Sequence, residues 1–182
     1  MFVLTGDADC MNIVLIGYRG TGKSVISRIL ADTLHCQRHS IDEEIVRKTG
    51  KLISKIVEQK GWNGFRDIER NVVEEVVAKA RNSVIDCGGG VVLDERNVRD
   101  LRCNSKVVLL ISSVEKIVGR IKDTNRPPLK EGLSFEEEQR QVISERDPMY
   151  RAAADCIFDT TYLKPRQTAT KIIKHFKKKG WI

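Results

Sequence analysis

The stretch Gly17-Tyr18-Arg19-Gly20-Thr21-Gly22-Lys23-Ser24 decides how this chain is read. Its spacing, G-x-x-x-x-G-K-S, is that of a phosphate-binding loop. Glycines let the backbone curl until successive N–H groups face an anion. Lys23 adds a mobile cation for the outer phosphates, and the Ser24 hydroxyl is placed to ligate Mg²⁺. The alternative is a glycine-rich turn before an ordinary helix. The flanks decide against it. Asn12-Ile13-Val14-Leu15-Ile16 is a short apolar run of buried-strand type, and Val25, Ile26, Ile29, Leu30 and Leu34 recur at helical spacing. Strand, loop, helix is the setting the motif needs, because the helix N-terminus adds its dipole to the anion site. Gly17, Arg19, Gly20, Thr21, Gly22, Lys23 and Ser24 are therefore expected to hold ATP.

Outward from this loop, strand and helix patterns alternate. Strands are expected at 12–16, 38–41, 83–87, 106–111 and 155–159. Helices are expected near 23–34, 42–49, 52–59, 65–81, 94–101, 113–121, 134–146 and 166–178. Such alternation predicts a parallel sheet with helices on both faces. The chain reads as one domain over 1–182. Within it, 42–81 is almost wholly helical and lies between two strands of one sheet. Ligands in open α/β sheets bind beyond the carboxyl ends of the strands, so this insertion is placed to hold a second substrate. The polar stretch 122–134, rich in charge and carrying Pro127-Pro128, reads as a lid; a passive surface loop is the alternative. Residues 1–10 precede a second methionine, Met11, and read as an N-terminal extension.

Composition narrows the function classes. The 182 residues carry 32 Lys and Arg against 25 Asp and Glu, a net charge of +7. The positive charges sit singly at motif positions or in the last turns, which favours a small anionic substrate over a nucleic-acid track. The five cysteines lack C-x-x-C spacing and read as reduced thiols of a cytoplasmic protein. The longest apolar runs are strand-sized, too short for a membrane span. The basic tail from Lys164 to Ile182 reads as a terminal helix with a solvated face. A monomer without nucleic-acid or membrane partners is expected.

Four further clusters carry chemistry. Ser40-Ile41-Asp42 ends the second strand. Asp42 is able to accept hydrogen bonds from a hydroxyl and to take its proton, and equally suits an N-cap of the next helix. Phe65-Arg66-Asp67-Ile68-Glu69 opens a long helix. Gly88-Gly89-Gly90 follows the third strand and permits close backbone approach to a ligand. Arg126 and Arg146-Asp147-Pro148-Met149-Tyr150 lie further on. Arg66 and Arg146 suit forked binding of a carboxylate, and Arg126 suits a developing phosphoryl charge.

Taken in order, the loop, Asp42, Phe65-Arg66-x-x-Glu69, the triple glycine, Arg126-Pro127 and Arg146-x-Pro148-x-Tyr150 resemble shikimate kinase from about residue 12 to the end. The resemblance implies a three-layer P-loop fold of the nucleoside-monophosphate-kinase type, with strand order 2-3-1-4-5. It implies ATP-dependent phosphorylation of the shikimate 3-hydroxyl, with Mg²⁺, in aromatic amino-acid synthesis. It implies that Asp42 binds the ring hydroxyls and serves as base, with Lys23 and Arg126 as the other catalytic groups. Arg66 and Arg146 then grip the shikimate carboxylate, and Glu69 orients Arg66. Gly88, Gly89 and Gly90 line the site, Arg126 reaches the phosphates from the lid, and Arg120 with Pro165 holds the adenine.

The chain departs from the family pattern at three places. Asp-x-Asp is usual where this chain has Ser40-Ile41-Asp42, and Ser40 cannot supply the charge that supports the metal. Val84-Ile85-Asp86 puts a carboxylate at the end of the next strand, so Asp86 is expected to take the metal role beside Ser24, in Walker-B fashion; a structural ion pair is the alternative. Trp62 stands where the family commonly has Glu, and reads as bearing on packing more than on chemistry. Rival readings are another small-metabolite P-loop kinase, acting on gluconate or a nucleoside monophosphate, and a non-catalytic binding module.

Overall fold

The computed structural model describes residues 11–121, 129 and 132–182. The N-terminal extension and most of the expected lid, Arg126 included, lie outside the described residues. The five strands are β1 (Asn12–Gly17), β2 (Gln37–Ser40), β3 (Ser83–Asp86), β4 (Ser105–Ile111) and β5 (Cys156–Asp159). They pair in the order β2-β3-β1-β4-β5, every pairing parallel. This is the order the family resemblance implies. The helices are α1 (Lys23–Leu34), α2 (Ile41–Thr49), α3 (Ile53–Lys79), α4 (Glu95–Arg102), α5 (Val114–Ile121), α6 (Phe135–Ala153) and α7 (Pro165–Lys179), with a 3₁₀ turn at Val91–Leu93.

Successive strand residues face opposite ways, and β1 uses both faces. Ile13 and Leu15 pack with Ile26 and Leu30 of α1 and with Ile172 and Phe176 of α7. Val14 and Ile16 join the other layer, with Ile41 and Ile45 of α2, Phe65 and Val72 of α3, and Leu101 of α4. All six residues of β1 are buried, as a strand between two layers of helices requires. β1 ends at Gly17, whose φ is 142°. A Cβ there would strike the carbonyl of Leu110, its register partner on β4. The strand can therefore turn into the loop only at glycine.

Two expectations were too short. The helices read at 52–59 and 65–81 are two helices that meet within α3 at a kink, where Gly61 is non-helical with φ 67° and ψ 178°. That left-handed residue breaks the helix without a loop, so Trp62, Asn63 and Gly64 are helical. The helix read at 134–146 runs on to Ala153, through Pro148. Proline removes one donor, the bond that would reach the Ser144 carbonyl. Ser144 is exposed, so water can serve that carbonyl and the helix continues. Arg146, Asp147 and Tyr150 thus share one rigid turn. The remaining bounds fall within two residues of expectation.

Candidate active site

A cavity of about 600 Å³ opens over the carboxyl ends of the strands. Ser40 and Asp86, which end β2 and β3, and Tyr18, just after β1, form part of its floor. Loop residues 19–24 line it, with Asp42, Arg66, Asp86, the three glycines, Arg120, Arg146 and Pro165. Gly17 lies beneath as the last residue of β1. Arg126 is outside the described residues.

The phosphate loop is built as its sequence requires. Gly20 and Gly22 take φ 80° and 92°, and Gly22 caps α1 in the left-handed region. The Lys23 ammonium donates to the carbonyls of Gly17 and Tyr18, both at 2.7 Å. The Thr21 hydroxyl also donates to the Tyr18 carbonyl, at 2.8 Å. Arg120 donates to the Gly20 carbonyl at 3.1 Å and to the Thr160 carbonyl at 2.8 Å. It thereby joins the loop to the segment leading to Pro165.

Asp42 is not the cap of α2. Ser40 is: its hydroxyl accepts from the Glu43 N–H at 3.4 Å. Asp42 sits one residue inside the helix and lines the cavity beside Gly88. An added Cβ at Gly88 would lie 2.8 Å from Glu69 Oε1 and 3.0 Å from Asp42 Oδ1. The glycine is what lets these two carboxylates approach the strand end together.

Glu69 is fully buried and ion-paired with Arg66, one turn before it. Its other oxygen, Oε1, has no hydrogen-bond partner among the described residues. Burial pushes the Glu69 carboxyl above its ordinary range; Arg66 opposes this and Asp42 adds to it. The Arg66 guanidinium lies 5.0 Å from the Phe65 ring centroid and 5.5 Å from that of Trp62, within cation–π range. Trp62 therefore forms part of the cavity wall and flanks a charged group, in addition to the mainly packing role read from sequence. Arg146, on α6, donates to the Gly89 carbonyl at 2.8 Å. Burial lowers its affinity for its proton, Tyr150 opposes that, and the neighbouring Arg66 cation adds to the lowering. Two arginines from different helices thus converge on one cavity and repel each other there.

Three features were not read from sequence. Asp86, 4 % exposed, accepts from Arg38 on β2 at 2.9 Å and from Ser27 on α1 at 3.3 Å, both through Oδ2. Arg38 also donates to Ser27 Oγ at 2.8 Å and to Glu43 at 2.9 Å. The Tyr150 hydroxyl, deep in the core, donates to the Gly89 carbonyl at 2.6 Å and lies 3.2 Å from the Gly17 carbonyl. The Tyr18 hydroxyl donates to Asp147 at 2.5 Å. The partners Arg38 and Asp86, Tyr18 and Asp147, and Tyr150 with Gly89 and Gly17 lie 48 to 133 positions apart in sequence, beyond any local pattern. Among the described residues no group of three or more His, Cys, Asp and Glu gathers as a metal cluster. Nor is any helix long and apolar enough to cross a membrane.

The family model for shikimate kinase matches residues 19–177. The shikimate kinase of Thermodesulfovibrio yellowstonii is 38% identical over 167 residues, covering 92% of this chain and 95% of the relative. That of Caldicellulosiruptor saccharolyticus is 41% identical over 165 residues, covering 89% and 93%. Among solved structures, a shikimate kinase from Acinetobacter baumannii in complex with shikimate superimposes with a TM-score of 0.87 at 34% identity, covering 93% of this chain and 94% of that one.

Proposed function

We infer from membership of the shikimate kinase family, to which this chain belongs, and from the cavity itself, that it transfers the terminal phosphoryl group of ATP to the 3-hydroxyl of shikimate. The product would be shikimate 3-phosphate, on the route to aromatic amino acids. One observation carries the reading: Arg66 and Arg146, from separate helices, converge in the same cavity as Lys23 and the phosphate loop. Two neighbouring half-buried cations call for an anion between them, and a carboxylate matches their forked donors.

Phosphoryl transfer proceeds mainly by positioning and charge stabilisation. The loop N–H groups and the α1 N-terminus would bind the phosphates, and the Lys23 ammonium would move from the carbonyls of Gly17 and Tyr18 to the outer phosphates. Arg120 and Pro165 would flank the base. Arg66 and Arg146 would fix the acceptor by its carboxylate, so that a remote group orients the reacting one. Asp42, beside Gly88, would orient the acceptor hydroxyl and take its proton. Gly88, Gly89 and Gly90 would leave room for acceptor and γ-phosphate to meet. Arg126 would reach the phosphates from the lid at 122–134; Leu129, a described residue of that stretch, lines the cavity.

The Ser24 hydroxyl and the Asp86 carboxylate both line the cavity. They are hard oxygen donors of the kind Mg²⁺ takes, so the residues fit a nucleotide-bound magnesium. That ion would neutralise charge on the phosphate oxygens as it moves to the leaving group. Asp86 would serve it while Arg38 holds its other side. The proposal also includes action as a monomer in the cytoplasm, over a single domain with 42–81 as the acceptor-binding region.

The test is a coupled ADP-release assay across shikimate, gluconate and nucleoside monophosphates. Turnover with shikimate alone is expected. Preferred turnover of another acceptor, or none with any, would refute the reading. Arg66→Ala should raise the shikimate KM while leaving the ATP KM nearly unchanged; equal loss of both would count against the acceptor assignment.

A further inference from the structure

Tyr18 occupies a position that the phosphate-loop pattern leaves open. Its backbone serves the loop and its side chain leaves it. The carbonyl accepts from Lys23 and Thr21, at 2.7 and 2.8 Å. The ring crosses to α6 and meets Tyr150 edge to face, with centroids 4.9 Å apart. The hydroxyl donates to Asp147 Oδ1 at 2.5 Å, while Arg151 Nε donates to Asp147 Oδ2 at 2.5 Å. Burial alone would raise the Asp147 carboxyl; the bonds from Tyr18 and Arg151 outweigh it and hold the group below its ordinary range. Asp147 is therefore a carboxylate, and the Tyr18 bond is charge-assisted, the stronger kind.

The same turn of α6 carries the acceptor arginine. Arg146 precedes Asp147 and donates to the Gly89 carbonyl, which also accepts from Tyr150. One helical turn thus grips the loop at Tyr18 and Gly17 and the glycine turn at Gly89, and presents Arg146 to the cavity. When phosphates arrive, Lys23 must give up the Tyr18 carbonyl for them. The peptide it leaves is the one whose side chain is anchored to α6. A change in the loop's bonding therefore reaches the turn bearing Arg146 through a rigid ring and a strong hydrogen bond. Coupling between sites needs such a physical connection, biased at both ends.

We propose that Tyr18 and Asp147 are positioning residues that couple nucleotide binding to the acceptor clamp, so that an occupied phosphate loop tightens the grip of Arg146 on the acceptor carboxylate. The inference rests on the acceptor assignment above. Neither residue is asked to touch the acceptor.

The experiment is calorimetric titration of shikimate into the full chain, with and without saturating ADP and magnesium. Wild type, Tyr18→Phe, Asp147→Asn and the double variant are compared. Tyr18→Phe keeps the ring against Tyr150 and removes only the hydroxyl. In wild type, nucleotide should tighten shikimate binding by at least about fivefold, the lower end of ordinary coupling. Each single variant should reduce that ratio to within about twofold of unity. The double variant should lose no more, because both act through one bond. The affinity for ADP alone should stay within about twofold. A merely structural contact would lower thermal stability and leave the ratio intact, and that result overturns the proposal. So does a wild-type ratio near one. Failure of wild type to bind shikimate under either condition would overturn the acceptor assignment as well, and is distinguishable from both.

Discussion

Gly90→Ala separates the acceptor site from the fold more cleanly than removal of either arginine. Gly90 has φ −124° and ψ 3°, so alanine meets no backbone strain. Its Cβ would fall on the guanidinium of Arg66, far inside van der Waals contact. That group is the end of a flexible side chain, so it yields and the backbone stays. Arg66 must then leave Glu69 and the place from which it would bind the acceptor. Charge-assisted hydrogen bonds contribute roughly 1.5–3 kcal/mol each, which is about 10- to 150-fold in acceptor affinity. The freed Glu69 carboxyl, fully buried, would take up a proton. Neutralising an ordinary glutamate at pH 7 costs up to about 3.7 kcal/mol at 1.36 kcal/mol per unit. The cost is smaller for Glu69, whose folded value already lies high. A stability loss of roughly 1–3 kcal/mol follows, about 2–9 °C in a chain of this size. Steady-state assays with shikimate varied at fixed ATP, then the reverse, should give a raised shikimate KM and an ATP KM within about twofold of wild type. A blocked site would also weaken the acceptor, so the variant is repeated in an Arg66→Ala background. There it should add little, because its target is gone. Full additivity, or an unchanged shikimate KM, would refute the mechanism of displacement.

Gly17→Ala makes the opposite case: its Cβ meets the Leu110 backbone carbonyl at a left-handed φ of 142°, so the chain should fail to fold, and a cooperative melt near wild type would disprove this. Asp86→Asn should raise the magnesium concentration needed for half-maximal turnover at fixed ATP and weaken magnesium-dependent binding of a fluorescent ADP analogue; an unchanged requirement would leave Asp86 as a structural partner of Arg38. In acid, the Asp147 carboxyl, held below its unfolded value of about 3.9, contributes stability that is present above that value and lost as pH falls through its lower folded value. Melting curves from pH 6 down to pH 2.5 should therefore show the gap between wild type and Tyr18→Phe narrowing below about pH 4, and a gap constant with pH would contradict the ionised pair.

The sheet was legible because its signals are local. Apolar runs of strand length, loop glycines at fixed offsets and helical stripes each occupy a few consecutive residues. The residue types gathered beyond the strand ends were legible too: Asp42, Arg66 and Arg146 all line one cavity. Partnerships across the fold were not. Nothing local marks Arg38, yet strand pairing places Ser40 opposite Asp86 and brings Arg38 to that carboxylate. Nor was the run of α6 past 146 legible, since helix continues through Pro148 where the Ser144 carbonyl is exposed to water. From its position Asp42 suited a helix cap as well as a role toward a ligand, and only the structure shows Ser40 in the cap's place.

That last point bears on the missing charge at position 40. Ser40 and Asp86 are register partners on adjacent parallel strands, so their side chains share one sheet face and one strand end. Moving a carboxylate from the end of β2 to the end of β3 shifts it by about one strand spacing, roughly 4.8 Å. The shift keeps it on the floor of the same cavity, and it frees position 40 for the hydroxyl that caps α2. It also buries the charge at 4 % exposure, where an unpaired carboxylate would be strongly unfavourable. Arg38, two residues before Ser40 on the same face of β2, supplies the counter-charge at 2.9 Å and is itself steadied by Ser27 and Glu43. Serine cap, β3 carboxylate and strand arginine therefore form one linked set, joined by the ion pair of Arg38 with Asp86.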